Sequence, residues 1–304
     1  MRIRFNVVIA VFAVSLAFYS GIVQGEQKGK PVYGRTDPAH YTGVSNAHGG
    51  AGTLPFMELL GHKTFDTNIL FVHRAEIPPK CGIGEHIHRD MEEMYLIFNG
   101  TAQFTVNGRT AELPAGSMVL CPKGSSHGIY NHTDETLQWL NLAVSMEKGN
   151  GTAIDYGDDL SGATVESPAP FRWAQLDRSL LKPAAHAHGG KGSILFRRVW
   201  ANDSFQTNWE FIDHCVLPPD TSIGYHQHNA IEEVYYLVSG TGQMTVNNQT
   251  WDVRAGDAIP CTLHDSHGLY NSSSEDIVLV VFSCGSRGKG IYDVNNWGDD
   301  LSKR

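Results

Sequence analysis

The chain has 304 residues, a formal charge of −9, 41% hydrophobic residues and 18% charged residues. That composition excludes a disordered or fibrous protein, and the length suits two ordinary domains or one large one. With acids in excess and no basic stripe, nucleic acid and anionic membrane surfaces are poor partners.

At the N-terminus, Arg2 and Arg4 precede an apolar stretch from Val7 to Val23, and Val23-Gln24-Gly25 offers small or modest residues for cleavage. Residues 1–25 are therefore expected to be a secretory signal, with the mature chain starting at Glu26 and destined for a secreted or periplasmic location. The alternative, an uncleaved anchor, is disfavoured by Ser15, Tyr19 and Ser20 and by the lack of a charged stop-transfer flank, so no integral membrane span is expected after cleavage. Cleavage removes two arginines and no acid, which takes the charge to −11. The five cysteines show no CxxC spacing. Cys121 and Cys261 sit in apolar runs and are expected to be buried filler; a disulfide pairing cannot be deduced from the sequence.

After residue 25 the chain repeats itself at an offset of 140. Ala47-His48-Gly49-Gly50 returns as Ala187-His188-Gly189-Gly190, Pro78-Pro79 as Pro218-Pro219, and Thr105-Val106-Asn107-Gly108 as Thr245-Val246-Asn247-Asn248. Tyr156-Gly157-Asp158-Asp159-Leu160-Ser161 returns one residue out of step as Trp297 to Ser302. This period exceeds that of a solenoid and marks a duplicated domain, 26–165 and 166–304. Within each copy the signals are β. Met94-Tyr-Leu-Ile-Phe and Val234-Tyr-Tyr-Leu-Val are short apolar runs. Gln103-Phe-Thr-Val alternates into Asn107-Gly108, a strong hairpin signal. Short strands with turns every eight to twelve residues predict an all-β sandwich or barrel.

Two matching ligand sets recur at the same offset: His86, His88, Glu93 and His127, then His226, His228, Glu233 and His267. Three imidazoles and one carboxylate suit a divalent first-row transition metal. His-x-His in a strand puts both rings on one face, and such a set leaves coordination positions open. Glu92 and Glu232 precede the ligand glutamates, should face the other way, and are expected to be surface carboxylates.

Gly84-Glu85-His86-Ile87-His88 with Glu93 and Gly100 resembles the first motif of the cupins, and Gly116, Pro122-Lys123-Gly124, His127 and Asn131 resemble the second. The second copy matches in His226-Gln227-His228, Glu233, Gly240, Gly256, His267 and Asn271, and departs at Thr262-Leu263-His264, where the pattern has Pro-x-Gly. The resemblance covers essentially the whole mature chain. It implies a bicupin: two tandem jelly-roll barrels (double-stranded β-helices) related by internal duplication, each holding one metal ion. Iron, manganese or copper is favoured; zinc or nickel also fits. Cupins often assemble through exposed strand edges, so a homo-oligomer is a further expectation.

Catalytic candidates beyond the ligands are His48 and His188, which precede Gly-Gly at a barrel mouth or merely cap a turn there, the cap being preferred. Tyr130 and Tyr270 are placed to offer a hydroxyl near the last ligand histidines, or to be aromatic filler. The Gly-Asp-Asp-Leu-Ser segments should tie the end of each repeat to the adjoining barrel. Three functional classes follow, all on a small-molecule substrate that is oxygen-rich if the protein is an enzyme. The first is a metal-dependent oxidoreductase, a dioxygenase or an oxalate-type enzyme. The second, narrowly behind, is a lyase or isomerase on a sugar acid or carbonyl compound. The third is a non-catalytic binding or storage protein, which intact ligand sets disfavour. The sequence resembles oxalate-handling bicupins in its duplication and ligand set but lacks a clear match to their longer inter-motif segments and acidic lid loop. The altered turn in repeat two tilts the expectation toward repeat one as the catalytic half.

Overall fold

The structure is a computed structural model that describes residues 33–304; the expected signal segment lies outside the described residues. Each repeat is a jelly roll of two facing antiparallel sheets, one of seven strands and one of five. In the first repeat the five-stranded sheet runs Ile154–Asp155, Gly82–Ile87, Ser126–Tyr130, Thr101–Val106, Arg109–Pro114. The seven-stranded sheet has Leu137–Ser145 at its centre, between Ile69–Ile77 and Met91–Ile97. The two sheets face each other without closing into one continuous ladder. The Asn107-Gly108 hairpin forms as its sequence predicts: both turn residues have positive φ, 51° and 70°, the pairing that matches strand twist.

Continuous apolar runs, such as Met94–Ile97, arise because both faces of the seven-stranded sheets are covered. In Leu137–Ser145, Leu140, Leu142 and Val144 join a core shared by the two repeats, which also contains Trp209, Val280 and Phe282. Leu137 and Trp139 point the other way, into the first barrel with Tyr95 and Phe104. Cys121 and Cys261 are buried, as expected, and all five cysteines are free.

The repeats also exchange arms. Gly34–Arg35 adds to the second repeat's sheet beside Asp257–Cys261, locked by Arg35 Nε and Nη2 on the Asp257 carboxylate, both at 2.7 Å. Reciprocally, Trp173–Gln175, placed by sequence in the second repeat, pairs with Ser117–Val119 of the first. Glu92 and Glu232 correct a further expectation. Neither is on the surface; both are 0% exposed. Glu92 accepts from the backbone N–H of Gln206 and Thr207, and Glu232 from those of Asp66 and Thr67, so each carboxylate holds a loop of the other repeat. They do face away from the ligand glutamates, but onto the neighbouring domain rather than water.

Candidate metal centres

In each barrel the four ligand residues converge from both sheets. His86 and His127 come from the five-stranded sheet, where they are direct register partners, and His88 follows immediately after the end of the Gly82–Ile87 strand. Glu93 comes across from the facing Met91–Ile97 strand. One donor atom from each lies within 4.8 Å of all the others, and the four side chains are buried; His226, His228, Glu233 and His267 repeat the arrangement. His127 Nε2 stands 2.7 Å from Glu93 Oε2, and His267 Nε2 stands 2.8 Å from Glu233 Oε2.

The backbone fixes which nitrogen of each ring faces inward. His86 Nδ1–H donates to the Gly84 carbonyl at 2.9 Å, His88 to Thr152 at 2.7 Å and His127 to Ser125 at 3.4 Å. In the second barrel His226 donates to Gly224 at 2.8 Å, His267 to Asp265 at 3.2 Å, and His228 to the Asp293 carbonyl. With Nδ1 committed, Nε2 of every ring is left for the cluster, the usual pre-orientation of a ligating histidine. Among the described residues, three of these atoms, on His88, His226 and His228, are buried with no hydrogen-bond partner. Buried orphans of that kind are rare unless something else meets them, and two such clusters fit a divalent cation each.

The electrostatics point the same way. Burial, then the neighbouring His127 and His48, hold the His86 pKa well below the usual imidazole value, and His226 is lowered in the same manner. Burial alone would raise Glu93, but His88 and His127 outweigh it and keep the carboxylate well below its usual range. Neutral imidazoles beside an ionised carboxylate are the protonation states that a cation requires. His88 is the exception: burial lowers its pKa, but Glu93 raises it by more.

His48 does more than cap a turn, the role preferred from sequence. Its ring stacks on His86 with centroids 3.8 Å apart and planes at 9°, and its Nδ1 bonds Asp155 Oδ1 at 2.7 Å. His188 stacks likewise on His226 at 3.9 Å, but its Nδ1 meets the amide oxygen of Asn296, at 3.2 Å. Both histidines sit in the left-handed region, φ 52°, a strained conformation that is retained in both halves. Gly84 makes this possible, because a Cβ there would come within 2.3 Å of the His48 carbonyl oxygen. Asp155 has no signature in the sequence; it enters only because Ile154–Asp155 adds to the edge of the sheet opposite His86.

Tyr130 and Tyr270 are not brought to the clusters. Three residues beyond the ligand histidine, strand alternation turns them to the opposite face; Tyr270 donates instead to Asp220 near the surface, at 2.7 Å. The tyrosines that do reach the centres are Tyr95 and Tyr235, two residues after each ligand glutamate and thus on its face. Tyr95 donates to Glu93 Oε2 at 3.0 Å. The same alternation could have found them. The Gly-Asp-Asp-Leu-Ser segments fold back onto their own barrels: Glu85 N–H bonds the Asp158 carbonyl at 2.8 Å, and Leu160 and Leu301 are buried. In the departed turn, His264 occupies the left-handed position (φ 70°) that Gly124 takes in repeat one (φ 83°), and each donates its N–H to the second ligand histidine's carbonyl.

Geometry and sequence together identify the class, a duplicated jelly roll with one buried His-rich cluster per half. The cupin domain family matches twice, at residues 73–143 and 213–283, each span containing one complete ligand set. The chain belongs to the cupins as a tandem bicupin. It is 29% identical over 103 residues to an oxalate-binding protein of Thermotoga maritima, 34% of this chain and 85% of that protein. It is 22% identical over 213 residues to H2HPP isomerase of Bacillus subtilis, covering 69% of this chain and 76% of that one. Among solved structures, oxalate decarboxylase of Bacillus subtilis aligns at TM-score 0.58 and 15% identity, covering 88% of this chain and 79% of that one. Salicylate 1,2-dioxygenase of Pseudoaminobacter salicylatoxidans aligns at TM-score 0.61 and 17% identity, covering 75% and 73%. At these identities the structural likeness shows the fold alone.

Proposed function

We propose that this chain is an exported, metal-dependent bicupin enzyme, an oxidoreductase acting on a small oxygen-rich molecule. The observation that carries the reading is the pair of buried clusters whose histidines have Nδ1 pinned to backbone and Nε2 left inward. His86, His88, Glu93 and His127 would hold one ion, and His226, His228, Glu233 and His267 a second. A divalent metal there supplies Lewis acidity toward an oxygen donor and, for iron, manganese or copper, access to redox chemistry. The chain's own contribution is to fix the ligands, exclude bulk water between two packed sheets, and place His48 and Tyr95 against the cluster. Export is supported by Arg2, Arg4 and the apolar run that follows.

One observation favours a second reading, a lyase or isomerase on a carbonyl compound. The Asp155 carboxylate fixes the His48 tautomer, which leaves Nε2 to take or give a proton beside the cluster. The isomerase relative spans both repeats. Metal analysis by plasma mass spectrometry, on protein purified without a metal-binding tag, separates the two. About two equivalents of iron, manganese or copper, with oxygen consumption on oxalate, diketones or phenolics, supports the oxidoreductase. Zinc or nickel alone moves the assignment to the second reading, and no metal overturns both.

A further inference from the structure

The interior of the first barrel holds polar atoms that its own fold does not use. His73, Asn141 and Tyr95 stand directly opposite one another on three neighbouring strands, so their side chains form one row on one face. Tyr95 fixes that face as the interior. It packs on Phe104 and Trp139, with centroids 5.2 and 5.1 Å away, and donates to Glu93. The row therefore lies one step along the strands from the ligand row. Asn141 is 2% exposed, yet among the described residues neither its amide nitrogen nor its amide oxygen completes a well-formed hydrogen bond, its one polar neighbour being the Tyr95 hydroxyl beside it in the row. Among the described residues Trp139 Nε1 is likewise buried without a partner, and His73 Nε2 has none within hydrogen-bond distance, its nearest acceptor being the Glu58 carboxylate at 3.6 Å. Orphans of this kind are few in native proteins, and here they cluster beside a candidate metal centre.

The second barrel carries the same ligands but a different row. Asp213 and Val281 stand opposite each other and beside Tyr235, in the places of His73 and Asn141, and Leu279 takes the place of Trp139. The order of the neighbouring pair is inverted as well. In the first barrel the imidazole of His73 is the inner member of a pair, 15% exposed against 38% for Glu58, whose carboxylate lies 3.6 Å away. In the second the inner member is the Asp213 carboxylate, 7% exposed against 42% for Arg198, which holds it at 2.9 and 3.0 Å. Among the described residues, that barrel's ligand row keeps one donor without a partner, the hydroxyl of Ser283.

We propose that the two centres are unequal in what they admit: the first takes a small carboxylate on Asn141, His73 and Trp139, and the second, lined by Asp213 and Val281, does not. Amide, indole and imidazole N–H groups complement carboxylate oxygens, whereas a buried carboxylate repels them. Position 141 and its counterpart 281 thus set specificity between otherwise matching sites. This rests on the metal reading above.

The test is calorimetric titration of the metal-loaded full chain with oxalate, used as a small dicarboxylate probe, with metal content assayed on the same samples. One oxalate per chain carrying two metals is expected. Asn141→Val and the isosteric Asn141→Asp should each weaken that site at least tenfold and retain both metals, and the Asp213→His, Val281→Asn double variant should add a second binding event. Two equal sites in the wild type, no oxalate bound at all, or unchanged affinity in both Asn141 variants, as when water alone meets these orphans, overturns the inequality and leaves the metal reading standing. A chain that binds no metal overturns that reading instead, and this inference with it.

Discussion

Each ligand histidine spends Nδ1–H on a carbonyl of its own strand or of the segment beside it, so removing one ring takes away a cluster-facing nitrogen without disturbing the other three ligands. His86→Ala and His127→Ala should each lose the first-barrel metal and keep the second, seen as a fall from about two equivalents to about one. Full retention in both variants would sink the ligand assignment. Acid should strip both barrels, since protons compete for the nitrogens a metal needs; because burial and neighbouring rings hold His86 and His226 well below the ordinary imidazole value, metal retention on dialysis should persist through that value and fall only at more acidic pH. Asp155 is the residue that separates the two His-on-His stacks. Its carboxylate is held below its usual pKa chiefly by the bond from His48. Asp155→Asn reproduces the second barrel's arrangement, in which Asn296 holds His188. Metal content should stay at about two equivalents while first-barrel turnover drops about tenfold or more, within the range for partners that orient a metal site. An unchanged kcat would mean that the dyad merely packs.

Elements whose cause is local were legible in the sequence, and those whose cause is distant were not. Asn107-Gly108 encodes its hairpin in two residues, and period-two alternation sufficed to put His86 and His88 on one face and to turn Glu92 away from Glu93. It did not reveal what Glu92 turns toward, because its partners lie on Gln206 and Thr207, 114 and 115 residues on. Asp155 was invisible for the same reason: only the folded sheet brings it opposite His86. The Thr262-Leu263-His264 departure was visible, but its outcome was not, since the turn keeps its shape with His264 left-handed. A non-glycine residue there costs about 1–2 kcal/mol, partly offset by the entropy that glycine loses on folding. His264→Gly should therefore stabilise the fold by up to about 1 kcal/mol, read as a rise in the chain's denaturant midpoint; a fall would show that the His264 bond to Asn229, 2.9 Å long, outweighs the backbone strain.

At the scale of the molecule, the repeats are joined by exchanged arms, a shared apolar core and two buried carboxylates, so they should unfold together. Glu92→Ala strands the N–H groups of Gln206 and Thr207 and should cost about 3 kcal/mol or more, since each buried orphan costs about 1–3. The loss should appear in the cooperative transition of the whole chain, not in one half. Acid has a distinct point of entry at the arm crossing. His214 is buried beside Arg197, its register partner, and Arg197 bonds the carbonyl of Gln175 in the arm from residues 173–175. Burial first, then Arg197, push the His214 pKa down to about 4. Its folded value lies below its unfolded one, so its stabilisation is complete above about 6.5 and is lost as pH falls toward 4. The ceiling on that loss is about 3 kcal/mol. The adjacent Asp213 works in the opposite sense: burial raises it to about 6, so its ionisation opposes folding at neutral pH and that opposition fades between pH 6 and 4. The two partly cancel in the wild type, which makes the variants more informative than the parent. His214→Gln should flatten the acid loss between pH 6.5 and 4, whereas Asp213→Asn should steepen it, in denaturant titrations of chelator-treated protein. Parallel pH profiles for parent and both variants would place acid sensitivity elsewhere than this crossing.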